Sequence, residues 1–203
     1  MGISAENVKV KIQQSKLAES GAALITHWGL SGPAVLKLSA WGARELAKLN
    51  YEFVISINWL PDMNEQTLKE RFLQIRNDNA SQRMKGRNML GLPGRLWEFL
   101  AAQSSVTETM RWAEMPSVVQ NKFIKNLCNY ELQVKGKTTF KEEFVTAGGI
   151  NLSEIDHNTM MSKKVSNLYF AGEVMDVDGV TGGFNFQHAW TSGFIAAKSI
   201  ATG

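Results

Sequence analysis

Apolar and polar residues alternate in two stretches of the N-terminal part of the chain. Residues 7–13 and 51–59 place apolar side chains at every second position, which is typical of strands with one buried face. A short apolar run at residues 22–26 predicts another strand. Between the strands, apolar residues recur at helical spacing behind Pro33, and Ser31 is the expected N-cap. The pattern therefore predicts a β-rich module that carries one helix.

The hydrophobic period becomes helical between residues 62 and 128. Three segments with this period follow residues that favour a helix start, namely Asn64, Pro93 and Pro116. After residue 128 the chain returns to a strand pattern, with Gly136 at the centre of a predicted hairpin. This order predicts a helical module inserted into the β-rich module.

The C-terminal residues predict a strand, a loop and a helix. The segment "NLYFAG" is a short apolar run that predicts a buried strand, and "NFQHAWTSGFIAAKSIA" predicts a helix with several small residues suited to close packing. The chain as a whole is therefore predicted to be a mixed α+β protein. Its predicted parts are a β-rich domain at residues 1–61 and 129–150, a helical insert domain at 62–128, and a C-terminal part at 151–203.

Composition indicates a globular protein. Hydrophobic residues make up 44% and charged residues 20% of the 203 residues. The net charge of +3 arises in residues 62–125, which hold 10 Lys and Arg against 7 Asp and Glu. Domains that bind nucleic acid usually have denser basic stripes, so composition does not favour nucleic acid as a partner.

Cysteine content and hydropathy bear on the cellular compartment. The single cysteine, Cys128, excludes an internal disulfide and a cluster of thiol ligands for a metal. The chain has no signal-peptide core and no apolar run of about 18 residues, the length that a membrane-spanning helix needs. We therefore expect a reducing, cytoplasmic setting without a membrane partner.

The segment "YFAGEVMDVDGVTGGFNFQHAW" at residues 169–190 is the strongest candidate for a binding site. Gly172 and Glu173 follow the predicted strand, at the end where open α/β sheets bind ligands. The glycines beyond them free backbone N–H groups, and the helix that begins at Phe184 and Asn185 favours an anion or partial negative charge. A phosphate-bearing or flavin-like cofactor fits this pattern, and so does a tight turn without a ligand. Asp176 belongs to a "DVDG" sequence whose spacing does not match a calcium loop.

Two other glycine-bearing stretches have both a structural and a functional interpretation. Thr146, Gly148 and Gly149 in "VTAGGINL" indicate either a close approach of the backbone to a ligand or a chain reversal. "LITHWGLSGPAVL" lacks both the G-x-G-x-x-G pattern and the lysine of a P-loop. His27 lies in this stretch, and a lone histidine at a strand end is more often structural than catalytic. No histidine spacing in the chain predicts a metal site.

Together these stretches resemble a known family. "THWGLSGPA", "TAGGI" with "TMMSK", and "YFAGEVMDVDGVTGGFN" are similar, in this order and with a comparable helical insert, to YhiN/BaiN-type NAD(P)/FAD-dependent oxidoreductases. The resemblance covers essentially the whole chain. It implies a flavoprotein with a barrel-like β domain, an inserted helical domain and an FAD-binding Rossmann-like domain, to which residues 151–203 would contribute the last strand, loop and helix.

The resemblance also implies roles for particular residues. Gly172 and Glu173 would meet the ribityl-diphosphate part of FAD. Asp176 belongs to the same predicted cofactor-binding loop. The remaining residues implied by the resemblance are Gly182, Gly183, Phe184 and Asn185 at the pyrimidine side of the flavin ring, and Thr146, Gly148 and Gly149 along the flavin or substrate cavity. His27 is the one candidate for a catalytic residue, and the catalytic acid is otherwise unassigned.

One motif of the family is missing. Its members begin with a strand, G-x-G-x-x-G and a helix that hold the FAD pyrophosphate, whereas this chain has no G-x-G-x-x-G sequence. We therefore expect a C-terminal fragment of such a flavoprotein, whose partner is the N-terminal FAD domain of the same protein. Alone, the fragment is expected to bind FAD poorly and to be inactive.

The expected function of the parent protein is that of an oxidoreductase that uses FAD, with NAD(P)H as reductant, on a small organic substrate. The alternative is a non-enzymatic module whose basic helical segment contacts nucleic acid or a partner protein. That segment holds Arg76, Arg83, Lys85, Arg87 and Arg95. The alternative leaves the glycine-rich loops without a purpose, which favours the flavoprotein.

Overall fold

The structure is a computed structural model, and it describes residues 2–86, 88–137, 145–180 and 182–202. Contacts group the chain into two compact units. The first unit combines Met1–Leu38 with Leu49–Gly136, and the second combines Ser39–Lys48 with Lys137–Gly203.

An antiparallel sheet dominates the first unit, with the strand order β3-β2-β1-β4-β5 in the described residues. The strands are β1 (Ile3–Ile12), β2 (Ala18–Ile25), β3 (Leu30–Ser31), β4 (Glu52–Asn58) and β5 (Tyr130–Lys135). The strands predicted from alternation are confirmed, since the apolar residues of β1 from Val8 onward are buried and its lysines are exposed. The second strand of the hairpin predicted around Gly136 falls partly on residues 138–144, outside the described residues.

Helix α1 (Pro33–Lys48) confirms the helix predicted behind Pro33, but the expected cap is wrong. Ser31 lies in β3, opposite Leu24, so Gly32 occupies the position before the helix. Gly32 has φ +95°, and a Cβ there would lie 2.9 Å from the carbonyl oxygen of Ala22. The close approach of this turn to β2 requires a glycine before the helix, in place of a capping side chain.

The predicted helical module is confirmed as α2 (Glu65–Asp78), α3 (Gly94–Gln103) and α4 (Ser117–Cys128). Asn64 caps α2 as predicted: its side chain accepts a hydrogen bond from the Thr67 N–H at 2.9 Å, and Thr67 Oγ1 accepts one from the Asn64 N–H at 2.9 Å. The helices pack around a buried aromatic cluster of Phe72, Trp97, Trp112 and Phe123.

The second unit has a small apolar core and contains the long helix α5 (Phe184–Thr202), which confirms the predicted C-terminal helix. Its core contains a cluster of four buried residues, Ile155, Met160, Met175 and Ala196. The strand predicted at "NLYFAG" is wrong. Two backbone hydrogen bonds join residues 168–170 to residues 160–162, from the Ser162 N–H to the Leu168 carbonyl and from the Phe170 N–H to the Met160 carbonyl, and Leu168 is 41% exposed. A strand needs a neighbour along its length, and in the described residues the pairing here is limited to one antiparallel bridge, between Met161 and Tyr169.

Within the described ranges, no helix is long and apolar enough to cross a membrane.

Candidate functional site

A cavity of about 240 Å³ in the second unit brings together part of the predicted site. Glu173, Gly182, Gly183 and Asn185 line it, as the cofactor hypothesis expects. The sequence analysis did not predict the other lining residues, which are Val145, Val177, Phe186, His188 and Ala189. The cavity thus combines a carboxylate and an imidazole with apolar walls and the start of a helix.

Asn185 fixes the loop at the start of α5. Its Oδ1 accepts a hydrogen bond from the Gly179 N–H at 2.7 Å, and its Nδ2 donates one to the Gly179 carbonyl at 2.9 Å. The Asn185 side-chain amide thus pairs with both the N–H and the carbonyl of Gly179, which ties the start of α5 to Gly179. Gly182 and Gly183, with φ +140° and +95°, adopt conformations that side chains disfavour. The first turn of α5, whose N–H groups have no intrahelical acceptors, is thereby held at the cavity.

The backbone of the segment "VTAGGINL" orients the side chain of Glu173. Its Oε1 accepts a hydrogen bond from the Thr146 N–H at 3.0 Å. Thr146 itself is not among the residues that line the cavity. Its position in the structure is beside the carboxylate, and its predicted contact with flavin stays a prediction.

Gly149 allows two backbone segments to meet. Ile150 forms a parallel bridge with Met175, in which the Ile150 N–H donates to the Val174 carbonyl at 2.9 Å and the Asp176 N–H donates to the Ile150 carbonyl at 3.0 Å. A Cβ on Gly149 would lie 2.6–2.8 Å from backbone atoms of residues 174–176, closer than such atoms approach. Gly148 has φ +104° with open space around it. The structural interpretation of this glycine pair is therefore supported at Gly149.

Gly172 and Asp176 lie near the cavity without lining it. The Gly172 N–H donates to Ser192 Oγ at 2.9 Å, and that hydroxyl donates to the His188 carbonyl at 2.8 Å, which ties the loop to α5. Asp176 forms an ion pair with Arg44 on α1, and the hydrogen bond and charge of that carboxylate raise the pKa of the Arg44 guanidinium. These two residues hold the loop in place. Phe184, the last predicted residue, is 66% exposed.

Two polar atoms of this unit, Asp176 Oδ1 and His188 Nε2, are buried without a hydrogen-bond partner among the described residues, and the second belongs to a residue that lines the cavity. A buried polar atom without a partner is costly. An orphaned ring nitrogen in a residue that lines a cavity fits a site that holds a polar ligand, and the sequence analysis assigns His188 no role.

The donor set of the cavity fits the ring part of a flavin. Apolar walls suit the fused rings, and a carboxylate, an imidazole and the N–H groups of a helix start suit the polar edge. The cavity residues do not include a glycine loop of the G-x-G-x-x-G kind, which the sequence lacks and which holds a pyrophosphate in such proteins. The residues present therefore fit the flavin ring better than the whole dinucleotide.

His27 lies in the first unit, on an exposed turn after β2. Thr26 Oγ1 accepts hydrogen bonds from the N–H groups of Trp28 and Gly29, both at 3.2 Å, and holds this turn. The role of His27 stays a prediction. Over the parts of the chain that the structure describes, no three side chains of the His, Cys, Asp or Glu type gather in a group that could bind a metal.

Comparison with known proteins identifies relatives. A sequence model of the "HI0933-like protein barrel and H2TH domain" matches residues 1–145. The chain is 37% identical to the ribosomal RNA dihydrouridine synthase of Escherichia coli over 178 residues, and 34% identical to the protein of that name from Haemophilus influenzae over 183 residues. It is 27% identical over 187 residues to the 3-dehydro-bile acid delta(4,6)-reductase of Clostridium scindens.

The alignments cover most of this chain but less than half of each relative. They span 87%, 88% and 90% of the chain, in the order given, and 42%, 42% and 44% of the three relatives. The domain match ends at residue 145, so the cavity described above lies almost entirely in residues beyond it.

Proposed function

Because this chain belongs to the HI0933-like family, the YhiN/BaiN-type flavoproteins, we propose that it forms part of a flavin-dependent reductase. The family membership confirms the resemblance carried by the glycine-bearing motifs. The proposed reaction is the reduction of a carbon–carbon double bond that is conjugated to a carbonyl group. The observation that carries the proposal is the cavity formed by Glu173, the start of α5 and His188.

The names of the relatives support the reaction class. Dihydrouridine is uridine in which the double bond between C5 and C6, conjugated to the C4 carbonyl, has been reduced. A 3-dehydro-bile acid with double bonds at positions 4 and 6 has those bonds conjugated to the carbonyl at position 3. Both names describe saturation of an unsaturated carbonyl compound, in one case a nucleobase and in the other a steroid. We propose a uracil ring in ribosomal RNA as the substrate, since the two relatives with that name are the more similar.

The residues of this chain would bind and orient the cofactor. A reduced flavin, when bound, supplies the hydride for such a reaction. The N–H groups at the start of α5 would lie beside the electron-rich edge of the ring, and Glu173, held by the Thr146 N–H, would accept hydrogen bonds from ligand hydroxyls. His188 Nε2 would gain the partner that it lacks in the described residues. Reduction by NAD(P)H, a cytoplasmic location and the need for a further FAD-binding domain belong to the same proposal.

A chimaeric protein tests the function. In the Escherichia coli ribosomal RNA dihydrouridine synthase, the region that matches this chain is replaced by residues 1–203, and the chimaera is produced in a strain that lacks the native enzyme. We expect a flavin absorbance band in the purified chimaera and dihydrouridine in the ribosomal RNA of the strain, measured by mass spectrometry. A chimaera with a band but no dihydrouridine, and with activity on an unsaturated 3-oxo steroid, would assign the second substrate class.

A matched pair of variants links the result to the cavity. Asn185→Ala removes the clamp on the α5 loop, and we expect it to lower the flavin content of the chimaera. Asn64→Ala removes an N-cap in the first unit at a comparable cost of about 1 kcal/mol, and it should leave the flavin content unchanged. A flavin content that is the same in both variants would contradict the assignment of this cavity.

The alternative function, a module that contacts nucleic acid through its basic helical segment, has less support. Arg76 donates hydrogen bonds to the backbone carbonyls of Trp112 and Met115, and Lys85 forms an ion pair with Glu108. These two cations therefore have roles within the first unit. A salt-dependent affinity of the chain for ribosomal RNA, lost on reversal of the Arg83 charge, would favour this alternative.

A further inference from the structure

The turn between β2 and β3 presents two aromatic side chains to solvent. Trp28 is 77% exposed, more than any other Phe, Tyr or Trp side chain among the described residues, and His27 beside it is exposed as well. Tryptophan is usually buried to a large extent, because its ring removes a large apolar area from water. A tryptophan as exposed as Trp28 adds little to the core of the first unit and offers the face of its ring to a binding partner.

Hydrogen bonds fix the backbone of this turn. Thr26 Oγ1 accepts from the N–H groups of Trp28 and Gly29, both at 3.2 Å. The Thr26 N–H and hydroxyl both donate to the Gly29 carbonyl, at 2.8 Å and 3.0 Å. Gly29 itself has φ +147°, which residues with a side chain disfavour. The turn is therefore ordered before any partner binds, and an aromatic residue on an ordered backbone loses little conformational entropy on binding.

The turn lies in a segment without acidic residues. Residues 20–38 contain no Asp or Glu, and they hold one lysine, Lys37. A polyanion can therefore approach the turn without meeting a carboxylate of this segment. A contact dominated by phosphates needs many cations, whereas the whole chain has a net charge of only +3. Both observations fit a partner that is anionic but is held mainly by its rings.

Unpaired RNA is a partner of this kind, because proteins bind it by stacking its bases on aromatic side chains. We propose that Trp28 is a stacking platform for an unpaired base of an RNA substrate. The inference rests on the proposed function, the reduction of a uracil ring in ribosomal RNA. A uracil inside a helix is stacked, so it has to be extruded before its double bond can be reduced, and its neighbours then lack a stacking partner. Trp28 supplies a ring that such a neighbouring base can stack on.

The experiment measures the affinity of this chain for a fluorescein-labelled single strand of oligo(U), by fluorescence anisotropy. The chain is compared with Trp28→Ala, Trp28→Leu and Trp28→Phe, and far-ultraviolet circular dichroism checks that each variant is folded. Trp41→Ala is the matched control, because Trp41 is also an exposed tryptophan, at 59%, and lies on α1 outside the turn. An RNA duplex of the same length, whose bases are already stacked, is the control ligand.

We expect Trp28→Ala and Trp28→Leu to lower the affinity for oligo(U) about 10-fold, the loss typical of one base stack. Trp28→Phe keeps a ring and should lose at most about 3-fold. Trp41→Ala should bind like the unchanged chain, and the affinity for the duplex should be the same in all variants. Because Trp28 carries no charge, its replacement should leave the salt dependence of binding unchanged.

Four outcomes would overturn the proposal: no binding of oligo(U) to the unchanged chain, full affinity in Trp28→Ala, full affinity in Trp28→Leu, or an equal loss in Trp41→Ala. Full affinity in Trp28→Leu would indicate an apolar contact that needs no ring.

The chimaera described above separates this contact from the reaction. With Trp28→Ala, the chimaera should keep its flavin band and need more ribosomal RNA for half-maximal dihydrouridine formation. Loss of the flavin band would instead make Trp28 a contact within the protein and overturn the proposal. A chimaera that forms no dihydrouridine, although oligo(U) binding depends on Trp28, would refute the proposed reaction and support the RNA contact.

Discussion

Substitution of Gly149 by alanine tests whether the backbone contact at residues 149–150 builds the site. Alanine at φ +149° is strained by about 1–3 kcal/mol. Its Cβ would also meet the backbone at Met175 at 2.6 Å, so the two segments must separate. Separation breaks the bonds from the Ile150 N–H to Val174 and from the Asp176 N–H to Ile150, each of which contributes about 1 kcal/mol. The expected total loss is about 3–5 kcal/mol.

Gly148→Ala is the matched control. Gly148 also has a positive φ, +104°, but an added Cβ there meets no atom within 4 Å. Alanine at this position should therefore cause only the backbone strain. The difference between the two variants is about 2 kcal/mol, which corresponds to about a 30-fold difference in an equilibrium constant.

Amide hydrogen exchange read at single residues measures this difference. The Ile150 and Asp176 N–H groups report the opening of the bridge directly. In Gly149→Ala both should exchange about 30-fold faster than in Gly148→Ala, while the amides of the sheet in the first unit remain unchanged. Equal exchange rates in the two variants would show that the approach at Gly149 is not what holds the segments together.

Two further predictions concern other described residues. Asn185→Asp keeps the acceptor for the Gly179 N–H but loses the donor to the Gly179 carbonyl. The exchange rate of the Gly179 amide should therefore lie between the rates in the wild type and in Asn185→Ala. An equal rate in the two variants would show that the hydrogen bond to the Gly179 carbonyl does not help to hold the loop. Burial raises the pKa of the Cys128 thiol from 9.0 to about 11. Only the thiolate is alkylated, so the reaction of Cys128 with iodoacetamide at pH 8 should be about 100-fold slower than that of an exposed cysteine. The rate should continue to rise with pH up to about pH 11. A rate that levels off near pH 9 would refute this shift.

Elements with a strong local signal could be predicted from the sequence. β1 and β4 are half-buried, so their alternation is visible in the residues themselves, and Asn64 with Thr67 forms a cap whose two bonds lie within four residues. β3 was missed because two residues carry no period. Residues 168–170 were predicted as a strand because an apolar run does not reveal whether a neighbouring strand exists to pair with it.

The candidate site could be predicted only in part, for a related reason. Glu173 and Asn185 belong to a glycine-rich segment that is recognisable from composition. Val145 and Val177 are ordinary apolar residues, and only the tertiary structure brings them to the same cavity. His188 carries a signal of its own, because it follows the start of α5 by one turn, and the start of this helix is the candidate ligand site in the sequence.

The glycines that suggested a cofactor do not all have the same purpose. Gly149 and Gly172 are used in packing, the first against the backbone at Met175 and the second against Ser192 on α5. Gly182 and Gly183 line the cavity and shape the start of the helix. The structural interpretation is therefore supported at Gly149 and Gly172, in two different motifs, whereas the cofactor contact of Gly182 and Gly183 stays a prediction. It follows that the number of glycines does not measure the strength of the ligand hypothesis, which depends instead on Glu173, the first turn of α5 and the unpartnered nitrogen of His188.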